Sequence, residues 1–164
     1  MFLVAMLLAA STAPVKQPWV ELEGGPALMH QSGRSGLGSG PLFRADLGYE
    51  LSERVAAEIW LTGAMQSAPL RSPGDTAILG GGLAARYLFK TFDAQGRVGL
   101  WGHAGAGWSA FAAGGGASVP AEFAGAILTF QPFVQKFQVG VEADLVAFRS
   151  TVGGALMPAL RCTF

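Results

Sequence analysis

Charge is what this sequence has least of. Only 13% of its residues are Asp, Glu, Lys or Arg, against about 25% in a soluble domain, so the chain lacks roughly half the charge needed to wet its own exterior. The formal net charge is +0, which leaves no basic footprint for nucleic acid. One cysteine, Cys162, excludes an internal disulfide framework. His30 and His103 are the only histidines, and with no second His or Cys at ligand spacing neither a metal nor another cofactor is expected. Long apolar runs are missing too. After the first ten residues each one is cut by Arg, Asp, Glu or Gly before the length of about 18 that a membrane helix needs. What the chain has instead is 51% hydrophobic residues, 24 glycines and a mean hydropathy of +0.38. Something other than water must cover much of the surface, and if that is a membrane, strands must cross it.

Residues 1–13 run from the apolar stretch Met1 to Ala10 into Ser11, Thr12 and Ala13. The stretch matches a signal-peptide core and is too short to span a bilayer, which takes about 20 residues. A signal peptide is expected there, with a short buried helix as the other reading, since no basic residue precedes the run and Pro14 follows it. Residues 14–164 then form a single domain.

Along that domain the dominant period is two. The cleanest case sets Phe43, Ala45, Leu47 and Tyr49 against Arg44, Asp46, Gly48 and Glu50, with every charge on one face. A turn at Leu51 to Arg54 leads to Val55, Ala57, Ile59 and Leu61 against Ala56, Glu58, Trp60 and Thr62, which makes a hairpin. Similar alternation is expected in a first strand from Trp19 to Met29, carrying Glu21 and Glu23, and in a fourth from Leu79 to Phe89, carrying Arg86. The fifth strand sets Val98 to Trp108 outward against Arg97, Gly99, Trp101 and His103, and the seventh sets Phe137 to Leu145 against Gln138, Glu142 and Asp144. The sixth, Ala121 to Phe130, is ambiguous: either Phe123 and Ile127 or Leu128 and Phe130 face out. Loops are expected at His30 to Gly40, Gln66 to Asp75, Ala112 to Pro120 and Ser150 to Gly153.

The last strand ends on an aromatic residue, with Leu156, Pro158, Leu160 and Cys162 on one face and Arg161 and Thr163 on the other. A terminal strand leaves an edge unless the sheet closes on itself. Eight strands of about ten residues, even in number and joined by short connections, fit an all-β, closed, eight-stranded antiparallel up-and-down transmembrane barrel. Its seam would pair the last strand with Trp19 to Met29. Pro26 and Pro158 fall close together there, which predicts a bulge or an open ladder, lined by Met157 and the loop from His30.

Charge supply decides which face is inside. Glu21, Glu23, Arg44, Asp46, Glu50, Glu58, Arg86, Arg97, Glu142, Asp144 and Arg161 are too few to solvate a barrel's exterior, and they suit a narrow lumen where acids and arginines pair. The other face is almost free of charge, as a lipid-facing wall must be. Tyr49, Tyr87, Phe89, Phe137 and Phe164 fall outward at one end of the strands and Phe43 and Trp108 at the other, as interfacial girdles do. Eight strands enclose a space that side chains fill, so no open pore is expected. Trp60 and Trp101 are placed to stack on an arginine, and His103 to bond a lumen acid.

In these features the chain resembles the small eight-stranded outer-membrane barrels of Gram-negative bacteria, the OmpA/OmpX-like superfamily of opacity-type porins and virulence-related barrels. The resemblance covers Trp19 to Phe164. Its most specific mark is the terminal Phe164 with Cys162 and Leu160 on the same face, similar to the signal that the barrel-assembly machinery reads; Ala159 and Met157 depart from that pattern. The resemblance implies a monomer in the bacterial outer membrane, in contact with its lipid and lipopolysaccharide, with a structural or surface-interaction role. Some relatives add a peptidoglycan-binding domain, which is not expected here because nothing follows Phe164. Others modify lipid A as deacylases or acyltransferases. His30-Gln31-Ser32 has residue types for such chemistry, but no acid can be assigned to orient a base, so an enzyme is the lesser reading. A soluble lipocalin-like binder, with the faces reversed, is the remaining alternative.

Overall fold

The structure, a computed structural model, describes residues 17–31, 37–66, 76–111, 118–132, 136–148 and 151–164. The expected signal peptide at residues 1–13 lies outside them, as does Ser32. Eight antiparallel strands, each paired with the next, form a closed barrel: β1 (Pro18–Gln31), β2 (Leu37–Glu50), β3 (Val55–Gln66), β4 (Thr76–Thr91), β5 (Val98–Phe111), β6 (Ser118–Phe130), β7 (Phe137–Phe148) and β8 (Thr151–Thr163). β8 closes on β1, with Trp19 opposite Thr163 and Gln31 opposite Thr151. Among the described residues no helix is long and apolar enough to cross a membrane.

The alternation read from the sequence sets the two surfaces. Phe43, Ile59, Leu61, Leu79, Leu83, Trp108, Leu145 and Leu156 are exposed on the outside, while the residues between them point into the lumen. The soluble lipocalin-like alternative is thereby overturned, because it needs the apolar face inside. Tyr49, Tyr87, Phe89, Phe137 and Phe164 all lie exposed near the short-turn end, and Phe43 and Trp108 lie exposed toward the other. Phe89 is the extra residue of a bulge in β4, between the pairs Leu88↔Trp101 and Lys90↔Leu100. The bulge swings its ring onto Tyr87, centroid to centroid 5.4 Å, and over Gly102, where a Cβ would collide with it.

Two described turns are fastened by side chains. In the β2–β3 turn, Ser52 Oγ accepts from the Arg54 and Val55 N–H groups at 3.3 and 3.1 Å. In the β4–β5 turn, Asp93 accepts from Val98 N–H at 2.9 Å and from Arg97 Nε at 3.0 Å. Gly96 closes that turn at φ +69°, in the left-handed region that glycine tolerates. The Val98 N–H bond, followed by the Arg97 guanidinium, holds the Asp93 carboxyl below its ordinary range.

Strand lengths differ from the sequence reading. His30 and Gln31 belong to β1, and Leu37 to Gly40 belong to β2, because Leu37 and Gly38 find partners in His30 and Met29. A Gly/Ser composition does not end a ladder when the facing strand supplies its bonds. For the same reason Ser118 to Pro120 join β6 against β5, and Thr151 to Gly153 join β8. β6 turns Leu128 and Phe130 outward and buries Phe123 and Ile127.

The seam carries the expected defect, as an open ladder. Pairing runs from Trp19↔Thr163 to Glu23↔Ala159 and resumes at Ala27↔Ala155, leaving Gly24 to Pro26 unpaired against Leu156 to Pro158. The register is unchanged across the gap, so there is no bulge. Phe164 N–H donates to the Pro18 carbonyl, and bonds to one neighbour recur at every second residue. Pro158 and Pro26 therefore both sit where an N–H should cross the seam, and the carbonyls of Gly24 and Leu156 lose their donors. The strands stay in contact, since a Cβ on Gly25 would run into the Leu156 carbonyl. Met157, expected to line an opening, is buried in the lumen, and His30 is paired with Val152; residues 32–36 lie outside the described residues.

Candidate functional site

The lumen has two layers. Toward the end where residues 32–36 connect β1 to β2, it is apolar: Met29, Leu42, Trp60, Ile78, Phe123, Val146, Phe148 and Met157 pack into one buried cluster. Trp60 meets Phe123 edge to face at 5.5 Å and donates its Nε1–H to the Leu83 carbonyl at 3.2 Å. A space of only about 10 Å³ is left beside Leu42, Trp60 and Phe123. No pore runs through this layer among the described residues.

The second layer, nearer the short turns, is ionic. Period two brings Glu21 and Glu23 of β1, Arg44 and Asp46 of β2, Glu58 of β3, Arg86 of β4, His103 of β5, Glu142 and Asp144 of β7 and Arg161 of β8 to the same inner face, all buried. Arg44 is the hub. Its guanidinium reaches Glu23 at 2.6 Å, Asp46 at 3.2 Å and Asp144 at 2.6 Å, and it also pairs with Glu142. Arg86 pairs with Glu21 at 2.9 Å and with Glu58, and lies 3.9 Å from Glu23. Arg161 donates from Nε to Glu21 at 2.6 Å. His103 Nε2 lies 2.6 Å from Asp144 and 3.5 Å from Glu142.

Aromatic faces take up the other sides of these cations. Arg161 lies 3.9 Å and Arg86 5.0 Å from the Trp19 ring centroid, and Arg44 lies 4.3 Å from that of Phe123. Trp101 is 6.0 Å from Arg161. Among the described residues Trp60 stacks on no arginine, because that ring belongs to the apolar layer. The alternation of β1 already put Trp19 on the face of Glu21, and that is the signal by which it could have been found. Room for its indole comes from Gly48 directly opposite, where a Cβ would strike the ring.

Two of the residues assigned to the lumen by sequence sit elsewhere. Arg97 precedes β5 and pairs with Asp93 in the turn, its side chain 42% exposed. The turn aspartate four residues earlier captures it before the strand begins. Glu50, at the end of β2, is half-buried and lines a polar cavity of about 320 Å³ at the short-turn mouth, with Gln17, Trp101, Gln138, Arg161 and Thr163. It stands at the entrance to the ionic layer and not in it. His30 lies on the outer face of β1, exposed. On β8, Leu160 faces outward with Cys162 beside it on the same face, and Phe164 is exposed beyond them.

Ligand atoms of His103, Glu142 and Asp144 lie within 4.8 Å of one another, and so do those of Glu21, Glu23 and Asp46. Sequence spacing could not show this, since the barrel wall brings them together. Each set already touches Arg44 or Arg86, and a guanidinium there opposes a metal ion. The arrangement is that of an ion-pair network.

No family model and no curated protein matches the chain. Solved structures do. Neisserial surface protein A aligns with a TM-score of 0.67 at 16% identity, over 90% of this chain and 97% of that one. Ail, the attachment invasion locus protein of Yersinia pestis, aligns at 0.57 and 16% identity, over 91% and 99%. The outer membrane protein OprG from Pseudomonas aeruginosa aligns at 0.55 and 10% identity, over 91% and 97%. With its apolar wall and charged interior, this chain has the fold of the small eight-stranded barrels of bacterial outer membranes.

Proposed function

We propose that the chain resides in a bacterial outer membrane as a monomeric barrel with a structural or surface-interaction role, its lumen closed by the apolar layer and the ion-pair network. The observation that carries this reading is the inverted polarity: leucines and aromatics cover the outside while Arg44, Arg86 and Arg161 are buried. Burying three guanidinium groups and exposing that belt suits lipid and no other solvent. The partners of this reading are outer-membrane lipid and lipopolysaccharide on the wall. The barrel-assembly machinery is a further partner, and would read Leu160, Cys162 and Phe164 on one face of β8.

Catalysis has no part in it. His30 points outward from β1, away from every lumen acid, and it is a strand residue paired with Val152. The test is fractionation followed by gel electrophoresis of boiled and unboiled samples. The protein is expected in the outer-membrane fraction with a heat-dependent shift in mobility, and recovery in the soluble fraction would overturn the reading. Lipid A mass spectra with and without expression are expected to coincide.

A further inference from the structure

The ionic layer does not balance. Among the described residues it holds six buried carboxyl groups, Glu21, Glu23, Asp46, Glu58, Glu142 and Asp144, and three buried arginines, Arg44, Arg86 and Arg161. Among the described residues His103 is the only other titratable group of the layer. β6 contributes Phe123, Ile127 and Thr129 to this face and no charge. Were every acid ionised and His103 neutral, three negative charges would stand uncompensated in the barrel interior. An uncompensated buried charge is strongly destabilising, and Arg44 and Arg86 are already shared among several acids apiece.

The oxygens show where the deficit falls. Asp46 Oδ1, Glu58 Oε2 and Glu142 Oε2 are buried with no donor from the protein, each on a carboxyl whose other oxygen meets an arginine, and Arg86 Nη2 and Arg161 Nη2 are buried with no protein acceptor. A carboxylate oxygen with no donor in a closed interior is the most costly state it can occupy, and a carboxyl O–H removes that cost. Oxygens of Glu21, Glu23 and Asp46 also lie within 4.8 Å of one another, close enough for like charges to exclude one another. A metal ion is the poorer counter-charge, because every carboxyl in the layer contacts an arginine or the histidine beside Arg44 and a cation would meet their positive charge. A proton has no such conflict.

We propose that the lumen is a proton-binding site: at neutral pH the folded barrel holds about three protons on this carboxyl and imidazole set that the unfolded chain does not. This goes beyond the outer-membrane reading, because it concerns the interior of the barrel whatever its location. The consequence is a pH-sensitive plug. Unfolded carboxyl groups release their protons near pH 4, so above that value the folded state binds more protons than the unfolded one. Stability is then fullest in mild acid and declines as pH rises, with the folding equilibrium constant falling up to tenfold per pH unit for each proton held.

The test uses the full chain folded in detergent or lipid vesicles, with urea unfolding followed by tryptophan fluorescence from about pH 6 to pH 8. For the wild type the equilibrium constant is expected to fall by a hundredfold to a thousandfold per pH unit, and a pH electrode in weak buffer should record proton uptake on refolding. Glu142→Gln should lower the uptake by about one proton and flatten the slope about tenfold per pH unit. Should a variant not fold, the wild-type uptake alone decides. A flat profile with no uptake would overturn the proposal. So would a profile that is flat in calcium chloride and steep in chelator, since the counter-charge would then be a metal. Failure here would leave the heat-dependent gel shift untouched, and a soluble, unshifted protein would overturn only the outer-membrane reading.

Discussion

Replacing Arg44 with methionine keeps a long flexible side chain against Phe123 and removes the one charge that Glu23, Asp46, Glu142 and Asp144 share. Two routes give the magnitude. Breaking a buried ion network by deleting one partner costs about 3–5 kcal/mol, because it leaves charge buried and unpaired. Alternatively the barrel takes up one more proton in place of the guanidinium. With an unfolded carboxyl value near 4.3, that costs about 4 kcal/mol at pH 7. The two agree, and the second adds a signature: at pH 5 the cost of that proton falls to about 1 kcal/mol.

The arginine variant should therefore be severely destabilised at pH 7 and nearly recovered at pH 5, measured by urea unfolding of the refolded protein in vesicles. Coupling Arg44→Met with Glu142→Gln should restore part of the loss at pH 7, since one orphaned acid goes with the cation. A loss below about 1 kcal/mol at pH 7, or one of equal size at both pH values, would refute the reasoning. The first result would mean that the lumen is wet enough to screen its charges. The second would mean that the cost lies in packing.

Three further outcomes follow from particular residues. Leu83, outward and mid-strand on β4 opposite Ile59, should cost about 2–4 kcal/mol when replaced by arginine, as a charge at the bilayer midplane does, and unfolding in vesicles reads it. Pro158→Ala restores an N–H toward the Gly24 carbonyl; a gain of about 1 kcal/mol and slower amide exchange on both sides of the seam are expected, and unchanged exchange would count against the reading of the ladder gap. The Asp93 carboxyl lies below its ordinary value of 3.8 because of Val98 N–H and Arg97. Its contribution to the turn is therefore present above about pH 4 and lost as pH falls further. Amide protection at Val98 should drop in acid, and it should drop less in Asp93→Asn.

The fold was legible because lipid and a narrow lumen impose opposite demands on successive residues. Where a strand carries charge, as with Arg44 and Asp46 between Phe43, Ala45 and Leu47, the face is unmistakable. β6 was not legible, because the upper lumen is itself apolar. Phe123 and Ile127 inside and Leu128 and Phe130 outside are chemically alike, and its one charge, Glu122, is exposed on the outer side. Strand ends failed for a related reason: Leu37 to Gly40 read as loop by composition, yet a facing strand makes ladder of any residue with a free N–H. The seam prolines are the counterexample that fixes the rule. Pro26 and Pro158 lack that N–H, and the ladder stops at them although the register does not change. Which acids meet which arginine was beyond the sequence altogether, since Arg44 and Asp144 are one hundred positions apart and meet only across the closed lumen. The excess of acid over arginine, however, was countable before any fold was known. Of the eleven charged residues first assigned to the lumen, removing Arg97 to the turn and Glu50 to the mouth leaves six acids and three arginines. Only the closed barrel places these nine in one buried layer, and it is that burial, with six acids against three arginines, from which the proton-binding proposal follows.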